Sequence, residues 1–338
     1  MPWALRLIAC PNPPMPASRK DKLLALYEQM LLIRRTEERL SELFAAGEIP
    51  GFIHLSIGQE AVAAGVMSAL ARGDSIGSTH RGHGHALAKG VALDDFFLEI
   101  MGKAEGICAG RGGSMHVADL SVGMLGANGI VGAGIPLAVG SALAHQVRAS
   151  GGIAVAFFGD GALAEGVLHE SLNMAALWKL PLLLVCENNG WSEFSPAERQ
   201  FAAAPCDLAS AFGIPAQQVD GNDALAVSEA AAGLREAIVS QGPHQGPHLL
   251  ECITHRVRGH FEGDPQKYRD GSAERDAQDP LQVTHGQLRR ARVAASQLDE
   301  LAEAVHARVE AAVQRARAGT EPRFDAALRE VYTETTHG

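Results

Sequence analysis

Two apolar runs constrain this 338-residue chain more than anything else in it: IAVAFF at 153–158 and PLLLVCE at 181–187. Each has the length of one strand, and neither alternates with polar residues, so both are expected to be covered on two faces. The segment between them, GDGALAEGVLHESLNMAALWKL, predicts a helix over 164–180. Strand, helix and strand at that spacing form a βαβ unit, whose crossover makes the two strands parallel. The fold class is therefore α/β, a mainly parallel sheet flanked by helices.

The rest of the chain continues this alternation. Residues 19–47 place apolar side chains at helical spacing and stop at a glycine, and QEAVAAGVMSALARG reads as a helix of small residues. GFIHLSIG, 51–58, reads as a short extended segment, and DSIGSTHRGHGHALAKG, 74–90, as a Gly- and His-rich loop entering a helix. IPLAVGSALAHQVRAS is a further helix, HLLECITHRVR is a last strand opening into a polar loop over 256–280, and 281–318 is helical. The expected organisation is a flexible N-terminal arm (1–18), a single α/β domain (19–330) and a tail (331–338). Nine glycines fall within 105–134, a density that only a close backbone approach to some partner would justify.

Composition removes several classes of function. Lys plus Arg number 29 against 39 Asp plus Glu, a net charge of −10, and the basic residues are scattered rather than gathered, so no nucleic-acid partner is expected. No run of about 18 apolar residues is present, so no membrane span is expected. Five cysteines without CxxC spacing argue against a disulfide framework or a cysteine zinc site and fit a reducing cytoplasm.

The chemistry concentrates where the two strands end. In a parallel sheet, ligands lie outside the carboxyl ends of the strands, and both GDG (159–161) and the pair Asn188-Asn189 occupy such ends on one edge. A carboxylate with an amide oxygen is a hard-oxygen set suited to Mg²⁺ or Ca²⁺, with phosphate oxygens completing the shell. Gly159 and Gly161 would let backbone approach that phosphate, and the start of helix 164–180 would face it with its positive end.

GDG followed by NN after one helix and one strand resembles the magnesium-diphosphate motif of thiamine-diphosphate-dependent enzymes. The similarity is greatest to the α subunits of 2-oxo-acid dehydrogenase first components and of acetoin dehydrogenase, and it runs from about residue 22 to 330. It implies that Asp160 and Asn189 ligate Mg²⁺ by side chain and Trp191 by its carbonyl, beside Gly159, Gly161 and Ala162. THRGHG (79–84) resembles the segment whose arginine contacts the diphosphate, which gives Arg81 that role; His80 stands where the family often has Tyr. NGIVGAG (128–134) is similar to the segment that offers backbone groups to the aminopyrimidine, here at Gly129 and Val131. His54, His83 and His260 match positions lining the family's active site, and Arg256 accompanies His260.

A His of ordinary, near-neutral pKa on a loop after the last strand suits a proton relay, and the loop itself suits a mobile cover. Zinc at His80, His83 and His85 is the weaker reading, because a flexible loop supplies no fourth ligand. His145, His244, His248, His285, His306 and His337 read as ordinary surface or core residues, and Glu60 and Glu165 as structural. The chain has room for only the diphosphate half of such an enzyme. The resemblance therefore implies a β subunit that brings the activating glutamate, in an α₂β₂ assembly. GHFEGD (259–264) resembles acetoin dehydrogenase α subunits, which implies a ketol substrate cleaved to acetaldehyde and a two-carbon unit passed to a lipoyl transacetylase. A pyruvate or branched-chain 2-oxo-acid dehydrogenase α subunit is the alternative, and a non-catalytic assembly subunit a third.

Overall fold

The computed structural model describes residues 18–240, 245–269, 279–323 and 325. The expected arm (apart from Ser18), His244, His337 and the tail lie outside the described residues. Helices α1 (Arg19–Ala45) and α2 (Glu60–Ala69) come first, followed by strand β1 (Ser75–Gly77), α3 (His83–Lys89) and α4 (Leu93–Ile100). Then β2 (Met124–Gly126) leads to α5 (Gly134–Val147), and β3 (Ala154–Gly159) runs through a 3-10 turn, Asp160–Ala164, into α6 (Gly166–Trp178). After β4 (Leu182–Asn188) come the short hairpin β5 (Trp191–Ser192) and β6 (Ser195–Pro196), α7 (Pro205–Ala211), β7 (Ala216–Asp220) and α8 (Ala224–Val239). The described chain closes with β8 (His248–Ile253), α9 (Pro280–Arg290) and α10 (Ala295–Arg317).

Six strands form one sheet in the order β2-β1-β3-β4-β8-β7, and every ladder in it is parallel. The two runs that announced the fold are adjacent strands, with Gly159 opposite Glu187. Their side chains sort by parity. Ala154, Ala156 and Phe158 of β3 pack with Leu182, Leu184 and Cys186 of β4 against α5, α6 and α7. Val155, Phe157, Leu183 and Val185 face the other way, into a larger core with α1, α2, α4, α8, α9 and α10. A strand buried on both faces has no position for a polar residue, which is why the runs are continuous.

Caps define several helix starts. Ser18 accepts from the Asp21 amide, Asp223 from Leu225 and Ala226, and Asp279 from Leu281 with Pro280 at the first turn. Arg34, deep in α1, bonds both Glu60 of α2 and Asp279, and so ties three helices together. Glu60 is therefore structural, as the sequence suggested.

Some expectations need correction. The 74–90 loop contains β1, a strand of three residues too short to show periodicity. Helix 164–180 starts at Gly166, because the 3-10 turn intervenes, so the first backbone amides at the strand end belong to that turn. The 281–318 helix is two helices, broken where Arg292 takes a left-handed conformation (φ 60°). Residues 51–58 join no ladder among the described residues, but Ile57 and Ile53 accept from the amides of Val257 and Glu262 at 3.0 and 2.9 Å. Gly58 lies against the same segment: its φ is +100° and a Cβ there would lie 2.3 Å from the His255 carbonyl oxygen. Gly58→Ala is expected to destabilise the protein by about 2 kcal/mol or more in urea unfolding, since both the backbone conformation and the contact oppose a side chain.

Candidate active site

Strand β1 pairs with β2 on one side and β3 on the other, so the chain reverses its direction of sheet growth there. Parallel sheets bind ligands at such a point, outside the carboxyl ends. A cavity of about 350 Å³ lies at this position. Its walls come from the residues following β1 (Ser78 to Arg81), β2 (Asn128 to Gly132), β3 (Gly159 to Ala162), β4 (Asn189) and β8 (Arg256, His260). Of the residues proposed from sequence, the structure gathers all but one here: His54, His80, Arg81, Gly129, Val131, Gly159, Asp160, Gly161, Ala162, Asn189, Trp191, Arg256 and His260.

The exception is His83. It is fully buried off the cavity wall, with Nε2 2.7 Å from Ser114 Oγ, Nδ1 3.3 Å from Glu37 Oε1 and the ring edge-on to Phe96. Within RGHGH the sequence could not separate a side chain pointing into the site from one turned into the helix packing. His85 is likewise directed elsewhere, to Ser78 and Glu187.

Asp160 is buried (3% exposed), and its Oδ2 has no hydrogen-bond partner among the described residues. Burial pushes its carboxyl up to about 6, against the downward pull of the backbone amides of Asp160 and Asn189 and the charge of Arg256. Asn189 donates to Gln59 Oε1 at 2.9 Å and accepts from the Trp191 amide at 3.0 Å, which fixes the amide plane. The β5–β6 hairpin rests directly on the GDG turn: a Cβ on Gly161 would fall 2.6 Å from Ser192 Oγ. The second glycine of the motif is thus required by the hairpin it lies under.

The same cavity wall also carries two guanidiniums. Arg81 (6% exposed) donates to the Leu55 carbonyl at 2.8 Å and to the His260 carbonyl at 2.6 Å. Arg256 (1% exposed) donates to the Glu193 carbonyl and to the Tyr268 hydroxyl, which in turn donates to Asp264 at 2.6 Å. Neither guanidinium bonds a carboxylate among the described residues, and Arg256 Nε has no partner among them. Burial, with Arg256 beside it, pulls Arg81 down to about 9. A buried carboxylate oxygen without a donor, in one cavity with two buried guanidiniums that bond no carboxylate among the described residues, is a set that a metal-bound polyphosphate would complete.

Both arginines reach the same atom, His260 Nδ1, at 3.1 Å from Arg81 Nη2 and 3.3 Å from Arg256 Nη1. A guanidinium only donates, so Nδ1 carries a lone pair and the proton of the neutral ring sits on Nε2. Burial and the neighbouring charges pull His260 down to about 3 and His54 to about 4, and His80 well below its ordinary value. The three rings stand 4.8 to 5.5 Å apart. The expected near-neutral relay is therefore corrected: in this state His260 is a neutral hydrogen-bond donor through Nε2. The loop carrying it, in its described part up to residue 269, is a bonded wall rather than a free flap. Asp264 accepts from the His260 amide at 2.7 Å and Arg269 donates to the Arg258 carbonyl at 2.6 Å.

Sequence reasoning missed Gln59, Ser78 and Glu187, all on the cavity wall. It also missed Glu99, which holds one side of the site from behind. That carboxylate is fully buried and accepts from the amides of Cys108 and Gly110 on one oxygen (2.8 and 2.9 Å) and of Gly112 and Gly113 on the other (2.7 and 3.0 Å). The glycine-rich stretch leading to Met115 is thus folded around one acid.

With this fold and site in view, the comparisons with known proteins agree. The chain belongs to the dehydrogenase E1 component family, whose model matches residues 28–324. It is 46% identical over 323 residues to the α subunit of an acetoin:2,6-dichlorophenolindophenol oxidoreductase from Bacillus subtilis, covering 94% of this chain and 96% of that one. A Cupriavidus necator protein of the same name is 46% identical over 318 residues (93% and 95% covered). The pyruvate dehydrogenase E1 component subunit α of Zymomonas mobilis is 42% identical over 341 residues (98% and 94%).

The shifted groups predict how stability follows pH. His54 and His260 bind protons less readily folded (about 4 and 3) than unfolded (about 6.5), so the stability they give is complete above pH 6.5 and is lost as pH falls towards 3. Asp160 runs the other way: its folded value of about 6 lies above the unfolded one, so its contribution is complete below about 4 and fades as pH rises through 6. In a thermal-unfolding series without ligand, the melting temperature should fall between pH 6.5 and 4. That slope should flatten in His54→Gln/His260→Asn and steepen in Asp160→Asn.

Proposed function

We propose that this chain is the α subunit of a thiamine-diphosphate-dependent acetoin dehydrogenase, active only with a β subunit. The observation that carries the reading is the unpartnered Asp160 oxygen set against the two anion-free guanidiniums at the carboxyl ends of the sheet. Asp160, Asn189 and the Trp191 carbonyl would hold Mg²⁺. Arg81, His80 and Arg256 would hold the diphosphate, with Gly159, Gly161 and Ala162 giving backbone access. Gly129 and Val131 would offer backbone groups to the aminopyrimidine.

Bound there, thiamine diphosphate supplies a nucleophilic ring carbon and an electron sink for breaking a bond beside a carbonyl. The chain's own residues do the rest. Burial of both arginines keeps water from competing for the anion and strengthens each contact. His260, its Nδ1 occupied by the arginines, directs its Nε2–H at the carbonyl oxygen of the substrate and polarises it. His54 packs against that ring and holds its orientation. The β subunit supplies the activating carboxylate, and the two-carbon unit passes to the lipoyl group of a transacetylase. The acetoin assignment rests on the two relatives of that name, and the site works as part of a cytoplasmic complex. The second reading, a pyruvate dehydrogenase first-component α subunit, is favoured by the relative from Zymomonas mobilis.

Asp160→Ala should abolish Mg²⁺-dependent binding of thiamine diphosphate to the α–β complex in calorimetric titration. Unchanged binding would remove the metal assignment. His260→Ala should lower kcat about 100-fold with the cofactor affinity within a few-fold of wild type, and full turnover would end its role as donor. Rates of the reconstituted pair on acetoin, pyruvate and a branched-chain 2-oxo acid separate the two readings: pyruvate preferred over acetoin would decide for the second.

A further inference from the structure

His85 of α3 lies flat beneath Phe157 of β3, with ring centroids 3.9 Å apart, and reaches past that strand on both sides. Its Nδ1 is 2.8 Å from Ser78 Oγ, one residue beyond the end of β1. Its Nε2 is 3.4 Å from Glu187 Oε1, in the last turn of the ladder of β4. β1 and β4 are the two neighbours of β3, so one imidazole spans the floor of the cavity from behind. All three side chains are buried, and Ser78 and Glu187 line the cavity while His85 does not. The proposed cofactor contacts use none of them.

The Glu187 carboxylate, 3.4 Å from Nε2, favours the ring proton on that nitrogen, which leaves the lone pair at Nδ1 for the Ser78 hydroxyl to donate to. That commits the hydroxyl proton, and towards the cavity Ser78 presents an oxygen that can only accept. Elsewhere on the cavity wall Arg81, Arg256 and the Nε2–H of His260 are donors. Ser78 thus adds a neutral acceptor to a cavity that also carries donors.

We propose that Ser78 Oγ, oriented by His85 and Glu187, is an acceptor subsite for a hydrogen-bond donor, an amino or hydroxyl group, on what the cavity holds. This rests on the function proposed above, which offers two sources of such a donor: the amino group of the cofactor's pyrimidine and the hydroxyl of a ketol substrate. A carboxylate placed there would set lone pair against lone pair, so a 2-oxo acid gains nothing from the subsite.

The test compares Ser78→Ala, Ser78→Thr and wild type in the complete α–β complex, titrated with Mg²⁺ and either inorganic diphosphate or thiamine diphosphate and assayed on acetoin and pyruvate. Loss of one acceptor should cost about tenfold. If the donor is the cofactor's, Ser78→Ala weakens thiamine diphosphate about tenfold and leaves inorganic diphosphate unchanged. If it is the ketol's, both affinities hold and KM for acetoin rises about tenfold while KM for pyruvate does not. In either case Ser78→Thr, which keeps the hydroxyl, restores the wild-type value. Equal weakening of both diphosphates, or no change in any of these constants, overturns the proposal. His85→Phe keeps a flat ring on Phe157 and removes the orienting nitrogen. It must move the same constant in the same direction, and its failure to do so overturns the proposal even where Ser78→Ala does not assemble. Wild type that binds neither diphosphate with Mg²⁺ would instead defeat the cofactor reading itself.

Discussion

Two guanidiniums inside the protein, Arg81 and Arg256, converge on one imidazole nitrogen with no anion between them. Burying such charge is costly, and breaking a completed ion pair would ordinarily be the larger loss; here no pair has been made. The surrounding structure absorbs the cost with carbonyls of Leu55, His260 and Glu193 and with the Tyr268 hydroxyl. The four acceptors come from three segments, so the loop after β8, the hairpin after β4 and the strap at 51–58 are all fixed by the same need. The same surroundings hold His54 and His260 below their ordinary range, by burial first and then by the charges of these two arginines.

How much of this was legible in the sequence depended on whether a residue's neighbours were local. GDG and NN were legible because each ends a strand whose continuous apolar character declares its place in the sheet. β1 and β2 were not, because three residues that include glycine carry no period, although β1 delivers Ser78, His80 and Arg81 to the site. Gln59 and Glu187 were passed over for a related reason, each acting on a group far away in the chain, Asn189 and His85, and Glu99 because it acts on main-chain amides, which no residue type advertises. The tautomer of His260 was out of reach altogether. Its ordinary chemistry is overridden by two arginines, one of them 179 residues away, and only the folded chain brings them together.

The parity of the strands links these observations. One set of side chains on β3 and β4 fills the core with α5 to α7, and the other set includes Phe157, which roofs His85. Most of the cavity-lining groups sit in the residues just past the last rung, where pairing stops and side chains are released from the alternation. The sheet therefore acts as a rigid edge against which loops from distant parts of the chain are registered to within a hydrogen bond.

Glu99 gives that arrangement a further property. Because it grips the 108–113 segment through four main-chain amides, it specifies the path of the loop through the backbone rather than through residue type. One acid and a few turns of backbone thus make a portable wall, transferable to another sheet that can bury a single carboxylate behind it.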